Sequence, residues 1–146
     1  MKIFKNIAIT LLVSFLLISV YSIIAKADSS KKKDILYTNS NFSTQADNLN
    51  LIVNTISTNN NNLVIDSYLL NTTSKDIKSI KNFNLTLKDA NGAVVTKELF
   101  PSIPIEKPLK ALNGVRVLLT IPLKDVNLAN KDFVNISYNF TFDYEN

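Results

Sequence analysis

The sequence predicts an all-β protein, an Ig-like antiparallel β-sandwich of about six or seven strands behind an N-terminal signal helix. Three observations predict it. Apolar residues alternate with polar ones at a period of two over most of the chain, and Asn-rich or Asn-Gly stretches punctuate those runs. No long window shows the three-and-four spacing of an amphipathic helix.

The first 27 residues differ in kind from the rest. Lys2 and Lys5 precede an apolar run over residues 7–24, and Ala25-Lys26-Ala27 places small residues where a signal peptidase reads them. The expected mature chain begins at Asp28. The run is also long enough to span a bilayer, so an uncleaved membrane anchor over residues 7–24 is the alternative. Taking Lys2, Lys5 and Lys26 from the 16 basic residues leaves 13 against 12 acidic ones, a mature net charge of +1. Lys31, Lys32 and Lys33 make the only basic cluster, in a polar stretch before any core strand, and read as a solvated tail. With no basic face and no exposed aromatic set, nucleic acid is not an expected partner.

Residues 28–48, rich in Ser, Asn, Thr and Lys, read as a polar tether with room for one edge strand. Residues 49–146 are enough for one core and too few for two, so a single sandwich domain is expected. With 0 Cys in an exported chain, nothing is stapled and stability must come from ordinary packing.

The first strand, residues 49–56, carries Leu49, Leu51 and Val53 on one parity and Ile52 and Ile56 on the other. Asn59 to Asn62 end it. The second, residues 63–70, sets Leu63, Ile65, Ser67 and Leu69 against Val64, Asp66, Tyr68 and Leu70. After the polar connection Asn71-Thr72-Thr73-Ser74-Lys75-Asp76, Ile77 and Ile80 lead into a hairpin over residues 79–100. Its first arm alternates Phe83, Leu85 and Leu87 with polar residues; its second arm is less regular and suggests a bulge. Asn91-Gly92 closes it, and the expected geometry is a type I′ turn with positive φ at both residues. Asp89 and Asn91 lack the further ligand spacing of a calcium loop.

Pro101, Pro104 and Pro108 then break the pattern, because proline cannot donate to a central ladder. This stretch is expected to cross between sheets, and the three prolines are the candidate partner contacts. Asn113-Gly114 turns the chain into a strand with Val115, Val117, Leu119 and Ile121 on one face. A short helical turn is expected within residues 124–132. The closing strand puts Val134, Ile136, Tyr138, Phe140, Phe142 and Tyr144 on one face, as a core strand rather than an exposed carbohydrate-stacking strip.

Reactive groups are scarce. With no His and no Cys, imidazole bases, thiolate nucleophiles, the usual zinc sites and Ser-His-Asp triads are excluded together. Glu98, Glu106, Asp125 and Asp132 sit in no motif, and without Trp there is no sugar platform. The only two glycines lie in Asn-Gly turns, so no phosphate-cradling loop exists. No catalytic residue, cofactor or metal is expected; Asn91, Gly92, Asn113 and Gly114 are singled out as structural turns.

The run LVIDSYLLNTTSKDIKSIKNFNLTLKDANGAVVTKELF, followed by IPIEKP, resembles the SLAP domain of Gram-positive bacteria over roughly residues 63–123. The matching pieces are the strand ending in Asn71-Thr72, then Lys75-Asp76-Ile77, Leu85-Thr86-Leu87-Lys88-Asp89 with Gly92 and Val95, Phe100, and the Ile103-Pro104 corner. The resemblance implies a non-catalytic cell-surface module of S-layer or secretion assembly. The expectation is a secreted or surface-tethered module that binds a cell-envelope protein or polymer, with an exposed sheet edge pairing with a partner strand. The alternative is a secreted inhibitor or ligand-capture protein working through its loops, the proline-rich one foremost.

Overall fold

The computed structural model describes residues 33–38 and 43–146. The expected signal or anchor over residues 1–27 lies outside them, and among the described residues no helix is long and apolar enough to cross a membrane. Lys33–Asn146 form one compact unit.

Among the described residues, eight strands build two antiparallel sheets: β1 (Asp34–Thr38), β2 (Ser43–Ala46), β3 (Leu49–Asn59), β4 (Asn62–Asn71), β5 (Ser79–Lys88), β6 (Val94–Ser102), β7 (Gly114–Pro122) and β8 (Ser137–Glu145). The larger sheet runs β1-β3-β4-β7 with β2 also on β3, and the smaller runs β6-β5-β8. The sandwich class therefore holds. One polar stretch changes its role. Residues 34–38 and 43–46, in the stretch expected as a tether with room for one edge strand, supply two: β1 against Thr55 to Thr58 and β2 against Leu49 to Ile52. Both lie along the same edge of β3, where Tyr37 is buried in the core. The sequence shows little of this because a short edge strand buries few side chains and so carries almost no apolar pattern.

The alternation read from the sequence is the burial observed. In β4, Leu63, Ile65, Ser67, Leu69 and Asn71 point inward, and in β7 Val117, Leu119 and Ile121 do. Where parity conflicts, a bulge resolves it. Asn54 is an extra residue in β3, so Ile56 joins Leu49, Leu51 and Val53 in the core although its parity differs. In β5, Asn82 takes φ 49° and shifts the register against β8 between Lys81 and Asn84. That residue lets Ile80 and Phe83, three apart, both bury. Val95 is the extra residue of β6, as its irregular pattern suggested.

The aromatic stripe of β8 lies inside. Phe140 stacks on Phe83 with ring centroids 5.2 Å apart, Phe142 follows at 5.9 Å, and Tyr144 continues the row. Val134 does not join it. The strand starts only at Ser137, and the Val134 amide instead donates to Asp132 Oδ1 at 2.8 Å in a local turn, leaving its side chain exposed. The expected helical turn is a single 3-10 turn over Leu123–Asp125.

Two turn geometries differ from expectation. In the turn that joins β5 to β6 only Gly92 has positive φ, 78°. Gly92 N donates to Asp89 O at 3.0 Å, and the buried Asp89 carboxylate accepts from the Asn91 and Ala93 amides at 3.0 and 2.8 Å. The hairpin is thus a four-residue turn with a left-handed glycine, not a type I′ turn, because Asp89 satisfies the loop amides itself. Before β7, the left-handed residue is Leu112, φ 53°, and not Asn113 or Gly114. Asn113 N donates to Lys110 O at 3.2 Å and Asn113 Oδ1 accepts from Gly114 N at 2.8 Å, so these two residues direct the chain without positive φ.

Candidate functional site

The chain leaves β6 at Ser102 and crosses to β7 through the proline segment. Ile103 N donates to Ile80 O at 3.0 Å, and Ile77 and Leu109 exchange hydrogen bonds of 2.9 and 2.8 Å in an isolated antiparallel bridge. Ile103 and Leu109 are buried. Both ends of the crossing are thus sewn to the start of β5, and the residues between them bow outward because prolines offer no amide to pull them in. The space left between this bow and the first residues of β7 is an open groove of about 520 Å³. Pro104, Pro108, Leu109 and Val115 supply its apolar wall, and Glu106, Lys107, Lys110 and Arg116 its rim.

Two of the three expected contacts, Pro104 and Pro108, line this groove together with Asn113 and Gly114. Pro101 does not; it sits within β6, exposed. Asn91 and Gly92 belong to the hairpin turn and are absent from the groove.

Charge at the rim is largely cancelled. Arg116 grips Asp66 in two hydrogen bonds, Nε to Oδ1 at 2.8 Å and Nη2 to Oδ2 at 2.7 Å, across neighbouring strands. These bonds hold the Asp66 carboxyl below its ordinary range, against the opposing effect of desolvation. Lys110 Nζ reaches Asp76 Oδ2 at 2.7 Å, and Ala111 N donates to Asp76 Oδ1 at 3.0 Å. The hydrogen bond from Lys110, then that from the amide, lower the Asp76 pKa. With both cations paired, the lining leaves Lys107 against Glu106, so the groove carries little net charge.

The groove is anchored from behind by Asn71, which is 0 % exposed. Its Nδ2 donates to the carbonyl oxygens of Lys75 at 2.7 Å and of Leu109 and Lys110 at 3.2 Å. Its Oδ1 accepts from Thr73 N at 2.9 Å and Thr73 Oγ1 at 2.8 Å. One buried amide therefore ties the end of β4, the connection after it and the far end of the proline segment. Sequence reasoning passed Asn71 over as part of a polar connection. The available signal was Asn-x-Thr, which closes an Asx turn through Thr73 N. The three carbonyl acceptors are distant in sequence or masked by chemistry common to all residues, and left no mark.

A second buried polar group joins the sheets. Tyr138 of β8 donates its hydroxyl to Leu51 O at 3.0 Å and accepts from Val53 N at 3.3 Å, next to the bulge of β3. Burial pushes its phenol pKa up. Among the described residues there is no group of three or more acidic side chains placed to hold a metal ion.

Compared with family models, curated proteins and solved structures, the chain matches none.

Proposed function

We propose that the chain is an exported, non-catalytic binding module of the cell envelope, of SLAP type, and that it takes an extended segment of an envelope protein in the groove between the proline segment and β7. The observation that carries this reading is the groove itself, about 520 Å³. It sets Pro104 and Pro108 beside Leu109 and Val115, so one surface offers rigid apolar contacts to an extended segment. Export is supported by residues 1–27, with their basic start, apolar run and Ala-x-Ala site. The absence of His and Cys supports binding over catalysis.

The test places a photo-crosslinking amino acid at Lys107, on the groove, or at Asn139, on the polar outer face of the smaller sheet, in cells that make the protein. Envelope-protein adducts from position 107 and not from 139 are expected, with the protein sedimenting with the envelope. Equal adducts from both positions, or a chain found wholly in the medium, would remove the envelope reading and favour a secreted inhibitor.

A further inference from the structure

Each sandwich has sheet edges that invite foreign strands, and three of the four here are guarded. The β1 and β2 edge is short and bulged between Ile35 and Tyr37, and Thr44 Oγ1 donates to Tyr138 O of β8 at 3.2 Å. The same contact shields β8, which also carries Asp143 and Glu145 near its end. On β6, Val95 O accepts from Asn127 N at 2.8 Å, the Thr96 hydroxyl donates to Asp125 O at 3.2 Å, and Pro101 interrupts the donors. The β7 edge has none of these before Pro122, its last residue. Gly114–Pro122 is 9 residues long, is hydrogen-bonded to β4 on one side, and has no other strand beside it among the described residues. Between its ends the one charge is Arg116, already held by Asp66.

We propose that two copies of this chain join through β7, antiparallel about a two-fold axis at Leu118, making the two larger sheets one continuous sheet. The sequence of the strand is complementary to itself in that register. Leu118 meets Leu118 of the other copy, Arg116 meets Thr120, Val117 meets Leu119 and Val115 meets Ile121, so no like charges stand opposite. Leu118 is 57 % exposed, opposite Asp66, and Tyr68, diagonal to it on the same outer face of β4, is 44 % exposed. The pairing covers this apolar spot, which a lone monomer leaves in water. A mature net charge of +1 opposes association little. The two-fold axis also sets the pair of proline grooves toward opposite ends of the joined strand, their Val115 residues about 20 Å apart along it at the strand rise of ~3.3 Å per residue. Such a dimer binds a repetitive partner with both grooves at once. The β7 pairing itself does not depend on the groove having a ligand.

Because the chain has 0 Cys, a single engineered cysteine reads the register directly. Leu118→Cys places two thiols directly opposite, where Cα atoms of paired residues lie about 4.5–5.5 Å apart and a disulfide closes. Thr120→Cys, on the same face, offsets its two thiols by four residues, about 13 Å, beyond disulfide reach. The expected result on mild oxidation of the mature chain is a covalent dimer from Leu118→Cys and none from Thr120→Cys. In sedimentation, Leu118→Lys sets two lysines opposite each other and weakens self-association by about tenfold or more, with an unchanged melting temperature when both proteins are dilute enough to be monomers. A wild-type chain that stays monomeric up to about 1 mM overturns the proposal. So does a Thr120→Cys chain that cross-links as readily as Leu118→Cys.

Discussion

Replacing Asn71 by Asp changes one atom type in a fully buried side chain and asks whether the amide holds the back of the groove. The Nδ2 group faces three carbonyl oxygens at 2.7 to 3.2 Å. An oxygen there turns attraction into repulsion, and a carboxylate adds a charge with no cation among those contacts. Each carbonyl keeps a second donor: Thr73 Oγ1 for Lys75, Ile77 N for Leu109 and Asn113 N for Lys110. Simple loss of the amide in Asn71→Ala therefore removes several net hydrogen bonds of about 1 kcal/mol and strands the Thr73 N–H, for a total of about 2–4 kcal/mol. The charged Asp costs more, about 3–5 kcal/mol. Burial raises the folded pKa of such an Asp above its unfolded value. Its stability is then greatest below the unfolded pKa and is lost as pH rises through the folded one, so the deficit against wild type shrinks near pH 3–4. Urea unfolding followed by circular dichroism at pH 4 and pH 7 measures both effects. An Asn71→Asp chain within about 1 kcal/mol of wild type at pH 7, or a deficit that grows toward acid, refutes the hub assignment.

The other expectations concern single turns and bonds. Gly92→Val unfolds at a clearly lower temperature than Lys88→Glu, because φ 78° strains a β-branched residue although no atom lies within 4 Å of an added Cβ; equal melting temperatures count against the hairpin geometry. Leu112→Asn raises stability by about 0.5–1 kcal/mol in urea unfolding, since Asn tolerates φ 53° better and the leucine is 73 % exposed. Tyr138→Phe loses about 1–2 kcal/mol by leaving Val53 N–H and Leu51 O short of a partner. Because its folded pKa is raised, the wild-type stability from Tyr138 is full below the ordinary tyrosine pKa and lost as pH rises above it; Tyr138→Phe lacks that alkaline fall. Asp66 is the opposite case: its folded pKa is lowered, so its contribution of about 0.5–1 kcal/mol is present above the ordinary carboxylate pKa and lost as pH falls through the folded one, and Arg116→Gln removes that acid dependence.

The period-two alternation of Leu63 to Leu70, Phe83 to Leu87 and Val115 to Ile121 needs only the geometry of an extended chain, in which successive side chains point to opposite faces. For that reason those strands and their inward faces were legible in the amino-acid order, as were the place, though not the geometry, of the Asp89 to Gly92 turn and the crossing at the prolines. So were two residues of the groove, Pro104 and Pro108, since proline excludes a central strand whatever surrounds it. Tertiary structure decided what depends on a partner. Asn54 and Asn82 become bulges because two runs of opposite parity must reach one core, a demand set by β4 in one case and β8 in the other. Residues 34–38 and 43–46 of the expected tether are β1 and β2 because β3 had an open edge to satisfy, with backbone groups that every sequence carries alike. Leu112 takes the left-handed conformation, and Asn71 its five side-chain hydrogen bonds, for the same reason. Their partners are carbonyl and amide groups brought near by folding, and no residue type announces where those will be.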